Sequence, residues 1–133
     1  MSKPEDYTVE QFIKEIRAII EANPDNVNAL NKDGSECVYE DAEGNNCVIG
    51  KFLHNVGLLE KLDIVDENGN RCGISKDGGH EWTKALDVLP ALGFSDGVSV
   101  LAHTIQGYAD SGISWKSLLE YRPFKGVETK PKA

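Results

Sequence analysis

The segment GNNCVIGKFLHNVG, residues 44–57, is the most strongly patterned part of the chain and decides how the protein is built. Apolar side chains recur in it with the spacing that places them on one face of a helix. Asn46 is a suitable N-cap and Gly57 is a suitable C-cap for that helix. The pattern therefore predicts a helix over about residues 47–56, with an apolar face that packs into a core.

Cys47, at the start of this helix, has two interpretations. A helix N-terminus favours the thiolate, as a cysteine nucleophile requires, but catalysis also needs a base within reach. His54 lies two turns along the same helix, roughly 10 Å away, so the fold would have to supply His80 or His103 instead. We favour the structural interpretation, in which Cys47 and Gly50 are small residues that let another helix or a strand approach closely.

Helical patterns also occur on both sides of this segment. Thr8 and Gln11 form a capping box, in which each side chain bonds the backbone amide of the other residue. Asn23-Pro24 ends that helix, because the residue before proline avoids the helical conformation. Ser95 and Ser114 are suitable N-caps further along the chain. Together these signals predict helices over about residues 8–22, 80–89, 95–110 and 115–121.

Two segments have the character of strands. Asn68-Gly69 is a strong signal for a type I′ turn, so DIVDENGNRCGI, residues 63–74, reads as a small hairpin. Residues 37–39, with turn residues on both sides, read as a short extended piece and a candidate edge strand. The predicted fold class is mainly α, a small bundle of four to five short helices with at most one short β-hairpin.

Length and composition fit a single domain. The chain has 133 residues, of which 40% are hydrophobic, and we find no internal repeat. We expect one helical domain over residues 1–124 and a disordered tail over residues 125–133, which have no apolar pattern. The sequence shows no signal peptide and no apolar run long enough for a membrane. We therefore expect the protein in the cytoplasm of its bacterial host.

The charge of the chain favours a protein partner over nucleic acid. Fourteen basic and 22 acidic residues give a net charge of −8, which repels phosphate. One stretch contains five acids and no base, and these are the candidate partner-binding residues: Asp33, Glu36, Glu40, Asp41 and Glu43. Such a ridge can imitate phosphates and bind the basic groove of a nucleic-acid-binding protein. The alternative, and the commoner case, is an ordinary solvated acidic loop.

Metal, cofactor and catalytic motifs are not found in the sequence. Three cysteines are an odd number, and they lack the paired spacing of a zinc site, so we expect free thiols in a reducing compartment. A site assembled from the three cysteines and His80 is the one zinc alternative that we retain. We expect no cofactor, and we expect that the protein is not an enzyme.

The order of these features resembles a group of small proteins from actinobacteria and their phages, for which no activity is established. The shared pattern is Cys-x-Tyr, then Cys-x-x-Gly with an apolar helix ending in glycine, then a later helix with glutamine and a Gly-x-x-Trp. It covers roughly residues 36–121 here, at Cys37, Tyr39, Cys47, Gly50, Gly57, Gln106, Gly112 and Trp115. The resemblance implies an origin in a phage or mobile element.

These observations predict a small acidic protein of phage or mobile-element type that binds and modulates a host protein. The sharper form of this hypothesis is an inhibitor that occupies a basic nucleic-acid-binding surface. Two alternatives stay open. One is a cysteine-dependent enzyme that uses Cys47, and the other is a small structural component of a virion.

Overall fold

The fold is a helical bundle with one small sheet. The computed structural model describes residues 3–28, 38–76, 80–121 and 124. Within them the predicted mainly α class with a small hairpin is confirmed, and a third antiparallel strand is added to the hairpin. The α-helices are α1 (Val9–Ala22), α2 (Val48–Asn55), α3 (Ala85–Leu92) and α4 (Asp96–Ala109). The strands are β1 (Ile64–Val65), β2 (Arg71–Lys76) and β3 (His80–Trp82), and 3-10 helices span Pro4–Asp6, Leu59–Lys61 and Trp115–Glu120.

The first helix forms as the sequence predicts. The Thr8 hydroxyl accepts from the Gln11 backbone N–H at 3.1 Å, and the Gln11 side-chain oxygen accepts from the Thr8 N–H at 2.9 Å. This reciprocal capping satisfies two amides that the first turn of a helix leaves without partners. The apolar face of α1 is buried, and the helix ends at Asn23. The predicted tail, residues 125–133, lies outside the described residues.

Helix α2 begins one residue later than predicted, and its cap is different. The prediction that Asn46 is the N-cap is wrong. Cys47 is the N-cap, and its Sγ accepts from the Gly50 N–H at 3.2 Å. Asn46 instead donates its side-chain amide to the Tyr39 carbonyl at 2.9 Å. Gly57, at φ +78°, follows the last turn as a C-terminal glycine should.

The predicted close approach at Gly50 is confirmed, and its partner is an extended segment of chain. A methyl group on Gly50 would overlap the Tyr39 carbonyl oxygen, and it would lie 2.7 Å from the Tyr39 carbonyl carbon. The Tyr39 side chain is 1% exposed and its hydroxyl donates to the Thr83 carbonyl at 2.7 Å. Gly50 therefore sets how closely α2 packs on the segment that leads into the sheet.

The prediction of a helix over residues 80–89 is wrong at both ends, because the segment begins as a strand and the helix continues past residue 89. His80–Trp82 is strand β3, which pairs with β2 so that Trp82 lies opposite Ile74. The helix begins at Ala85 and continues through Pro90 to Leu92. Proline removes the hydrogen bond to the carbonyl four residues earlier, here that of Leu86, whose side chain is on the exposed face of the helix.

The C-terminal helices differ in how well the sequence predicts them. Ser95 caps α4 as expected, since its hydroxyl accepts from the Val98 N–H at 3.3 Å. The closing segment is a 3-10 helix rather than an α-helix, and its N-cap Ser114 makes no capping hydrogen bond. The Ser114 hydroxyl lies 2.9 Å from that of Ser117 instead. The first turn is tied to the α1 exit by the Trp115 N–H, which donates to the Asn26 carbonyl at 2.7 Å.

One buried asparagine joins three elements of the bundle. Asn28 is 4% exposed, and its side-chain oxygen accepts from the Val48 N–H at 3.0 Å and from the Trp115 indole N–H at 3.1 Å. Its amide donates to the Asp110 carboxylate at 3.0 Å. Because these partners are all inside the protein, Asn28 fixes the start of α2, the end of α4 and the closing helix relative to one another. Trp115 is a core residue, as the sequence favours.

Candidate functional site

Two loops of the protein have the same sequence pattern and the same hydrogen bonds. The first loop is DAEGN, residues 41–45, and the second loop is DENGN, residues 66–70. In each, the carboxylate of the leading aspartate accepts from the backbone N–H groups of the third and fifth residues and from the side-chain amide of the final asparagine. In each, the glycine has a positive φ, +87° in the first loop and +83° in the second.

Two expectations from the sequence, the absence of an internal repeat and the type I′ turn, are wrong. The chain does contain a short repeat, Asp-x-x-Gly-Asn-x-Cys, which ends at Cys47 and again at Cys72. The turn in the hairpin is also not type I′, because that turn needs a positive φ at Asn68 and no described residue other than glycine has one. Gly69 alone takes the left-handed conformation, as in a three-residue hairpin loop with a glycine bulge.

The sheet brings the two loops side by side. Glu40 forms a β-bridge with Asn46 on one side and with Arg71 on the other. The Arg71 N–H donates to the Glu40 carbonyl at 2.7 Å, which joins the residue before the first loop to the start of β2, which follows the second loop. A methyl group on Gly69 would lie 3.1 Å from the Ala42 side chain, so the loops are in contact at their tips.

This arrangement gathers acids from both loops on one surface, which we call the acidic edge: Glu40, Asp41, Glu43, Asp66 and Glu67. Three of its members, Glu40, Asp41 and Glu43, belong to the candidate set that the sequence indicates. The other two candidates, Asp33 and Glu36, lie outside the described residues. Asp66 and Glu67 are not in that candidate set, because the Asn68-Gly69 signal places them only in a turn. The repeated Asp-x-x-Gly-Asn-x-Cys pattern is the sequence signal that relates the two loops.

The acids of the edge have different tasks. The carboxylates of Asp41 and Asp66 accept hydrogen bonds from their own loops. Glu40 is 31% exposed, and its carboxylate faces the Arg71 guanidinium at 3.9 Å. Glu43 and Glu67 are exposed, and neither makes an ion pair with a described residue. These two glutamates are therefore the exposed charges of the acidic edge that make no ion pair with a described residue.

Hydrogen bonds keep two carboxylates near the sheet ionised. The pKa of Asp66 is lowered by hydrogen bonds from the Asn70 backbone amide and, after it, from the Asn70 side chain. The pKa of Asp63, which precedes β1, is lowered by the Ser75 hydroxyl and then by the Ser75 backbone amide. These bonds favour the charged forms, so both groups stay negative to a lower pH than an unperturbed aspartate does.

A cleft of about 290 Å³ borders the acidic edge. It is lined by Glu40, His54, Gly57, Leu59, Glu60 and Arg71. The Arg71 guanidinium donates to the Leu62 carbonyl and faces the Glu40 carboxylate, so internal partners already engage the one strongly basic side chain of the cleft. The cleft therefore extends the negative surface beyond the loops, with Glu60 as an additional exposed carboxylate.

Cys47 lies in the core at the start of α2. Its side chain is 0% exposed, and its Sγ faces the Gly50 N–H at the first turn of α2. Among the described residues no group of three or more His, Cys, Asp and Glu side chains is arranged to hold a metal ion. The zinc alternative includes Cys37, which lies outside the described residues, so that alternative stays a prediction from the sequence.

Comparisons with family models, curated proteins and solved structures give no match to this chain. The resemblance to small proteins of actinobacteria and their phages therefore stays a prediction from the sequence. None of the helices in the described part of the chain is long and apolar enough to cross a membrane.

Proposed function

We propose that this protein is a non-enzymatic binding protein, which docks its acidic edge on a basic surface of a partner protein. The observation that carries the proposal is the β-bridge between Glu40 and Arg71, which holds two acid-tipped loops next to each other. A single acidic loop is common on protein surfaces, whereas two matched loops in contact offer a defined pattern of charge. The net charge of −8 would also speed encounter with a basic partner.

The loops are preorganised for binding. Each leading aspartate holds its loop with hydrogen bonds of 2.8–3.1 Å, so the backbone that carries Glu43 and Glu67 is already ordered in the free protein. Only the two glutamate side chains would lose conformational freedom on docking. Preorganisation of this kind raises affinity because less entropy is lost when the complex forms.

The sharper form of the proposal is an inhibitor of a host nucleic-acid-binding protein. Carboxylates on neighbouring loops would take the places that phosphates occupy in a basic groove, and they would exclude the nucleic acid from it. This role suits the phage or mobile-element origin that the sequence resemblance implies. The burial of Cys47 supports the non-enzymatic part of the proposal, because a substrate has no access to its thiol.

The proposal is tested by affinity capture from a bacterial lysate. The tagged protein is incubated with lysate at low salt, and the bound proteins are eluted in parallel with high salt and with duplex DNA. We expect one dominant basic protein that both treatments release, because salt screens the charges and DNA competes for the same groove. A partner that survives high salt would contradict docking through charge, and one that DNA fails to displace would contradict the inhibitor form.

A further inference from the structure

We infer that Asn68 is a site of spontaneous deamidation in the folded protein, where the second loop gains a negative charge. Asn68-Gly69 is the single Asn-Gly pair in the chain. Glycine has no side chain to hinder its own backbone nitrogen, so that nitrogen reaches the preceding asparagine side chain more easily than the nitrogen of any other residue does. The sequence therefore contains one position that is chemically suited to this reaction.

The structure distinguishes Asn68 from the neighbouring asparagines. Asn68 is exposed at the tip of the second loop, and its side-chain amide makes no hydrogen bond with a described residue. Asn45 and Asn70, in contrast, each donate their side-chain amide to the aspartate of their loop, at 3.1 and 3.0 Å. Their amides are held in place, whereas that of Asn68 is free to turn towards the backbone.

The reaction requires a local opening of the loop. The Gly69 N–H donates to the Asp66 carbonyl at 3.1 Å, and this bond has to break before the nitrogen attacks. Exposed turns open at low free-energy cost compared with the core. The hydrogen bonds of the Asp66 carboxylate oppose that opening, so they set the rate at which Asn68 reacts.

The atoms of the reaction balance with water as the only co-reactant. The Gly69 backbone nitrogen attacks the Asn68 Cγ, a bond forms between them, and the Cγ–Nδ2 bond breaks. The departing amide takes the proton of the Gly69 N–H and leaves as ammonia, which closes a succinimide ring. Water then opens the ring at one of its two carbonyls, and the product is aspartate or isoaspartate. Nothing is oxidised or reduced.

The aspartate product fits the loop, because the first loop already has a carboxylate at the same position. Glu43 is the third residue of its loop, as Asn68 is of the second, and the backbone hydrogen bonds of both loops are the same. Deamidation would make the second loop resemble the first and would add a sixth carboxylate to the acidic edge. Its effect on partner binding rests on the function proposed above, whereas the reaction itself does not.

The test is a time course on the folded, full-length protein at mildly alkaline pH, with peptide mapping by mass spectrometry. We expect the Asn68 peptide to be the first to lose its amide, and Asn68→Gln to prevent that change. Asp66→Ala removes the three hydrogen bonds that its carboxylate accepts in the loop. It should speed the reaction by at least a factor of about five, because loss of even one hydrogen bond of ordinary strength raises the open fraction by about that factor. Asp41→Ala, the matched change in the first loop, should leave the rate at Asn68 unchanged.

Earlier loss of another amide, or an intact Asn68 after the urea-unfolded chain has reacted, would overturn the inference. An equal acceleration by both aspartate variants would overturn the role of the second loop. The link to binding is measured separately with Asn68→Asp, which should hold the captured partner to a higher salt concentration. Deamidation at Asn68 without any effect of Asn68→Asp on capture would leave the modification site standing and would count against the proposed function.

Discussion

Replacement of Gly50 by alanine tests how closely α2 packs on the extended segment at Tyr39. An added methyl group would overlap the Tyr39 carbonyl oxygen, and it would lie 2.7 Å from the carbonyl carbon and 2.9 Å from the Tyr39 Cα. Carbon atoms in contact are normally 3.5–4.0 Å apart, so the two backbones would have to separate by about 1 Å. Backbone cannot rotate away as a flexible side chain can, and the whole extended segment must move.

Three contributions set the change in the free energy of unfolding that Gly50→Ala causes. Overpacking of a tight core contact costs roughly 1–3 kcal/mol. Movement of Tyr39 also weakens the hydrogen bonds from its hydroxyl to Thr83 and from Asn46 to its carbonyl, each worth about 1 kcal/mol. Alanine recovers about 1 kcal/mol because it is the better helix former. We therefore expect Gly50→Ala to lower the free energy of unfolding by about 2–4 kcal/mol, and Gly50→Leu to lower it further.

The assay is urea unfolding followed by circular dichroism, with Gly107→Ala as the matched control. Gly107 also lies inside a helix, but a methyl group there would have no neighbour within 4 Å. The control should therefore gain up to about 1 kcal/mol from helix propensity alone. If Gly50→Ala is as stable as the wild type, or gains stability as the control does, the account of close packing at Gly50 is refuted.

Three further predictions concern stability and reactivity. Asn28→Ala should lower the free energy of unfolding by about 2–4 kcal/mol, because it leaves two buried donors and one carboxylate without their partner; the exposed Asn26→Ala serves as the control, and an equal loss in both would contradict the prediction. The lowered pKa values of Asp63 and Asp66 mean that these carboxylates stabilise the fold above their unfolded pKa of about 3.9, and that this stability is lost as the pH falls through the folded values. Below about pH 4, the free energy of unfolding should therefore decrease less with falling pH in the double variant Asp63→Asn/Asp66→Asn than in the wild type. The same decrease in both proteins would show that these two carboxylates do not contribute to the acid sensitivity of the fold. In a variant whose other two cysteines are serine, Cys47 should react with a thiol reagent only after urea unfolds the chain, and rapid labelling of the folded protein would contradict its burial.

Features that depend on neighbouring residues could be predicted from the sequence. The Thr8 capping box and the Ser95 cap are local interactions, and both form as their residues indicate. The small residues at the start of α2 indicated a close approach, which Gly50 makes. These signals were sufficient for the helical class of the fold and for its central packing contact.

Features that depend on distant partners could not be predicted. Cys47 rather than Asn46 caps α2, because the side-chain amide of Asn46 donates to the Tyr39 carbonyl instead. The apolar spacing that begins at Trp82 imitates a helix, but β2 supplies backbone partners that make this segment a strand. The acidic edge likewise depends on the pairing of Glu40 with Arg71, which no local pattern of charges reveals.

The central claim, that the acidic edge carries partner binding, is tested most directly with two matched double variants. Glu43→Gln/Glu67→Gln removes the two exposed charges of the edge, and Glu15→Gln/Glu120→Gln removes two exposed charges from α1 and the closing helix. Binding of each variant to the captured partner is measured over a series of salt concentrations. We expect weaker binding and a smaller salt dependence for the first variant only. Equal binding by the two variants would contradict the claim.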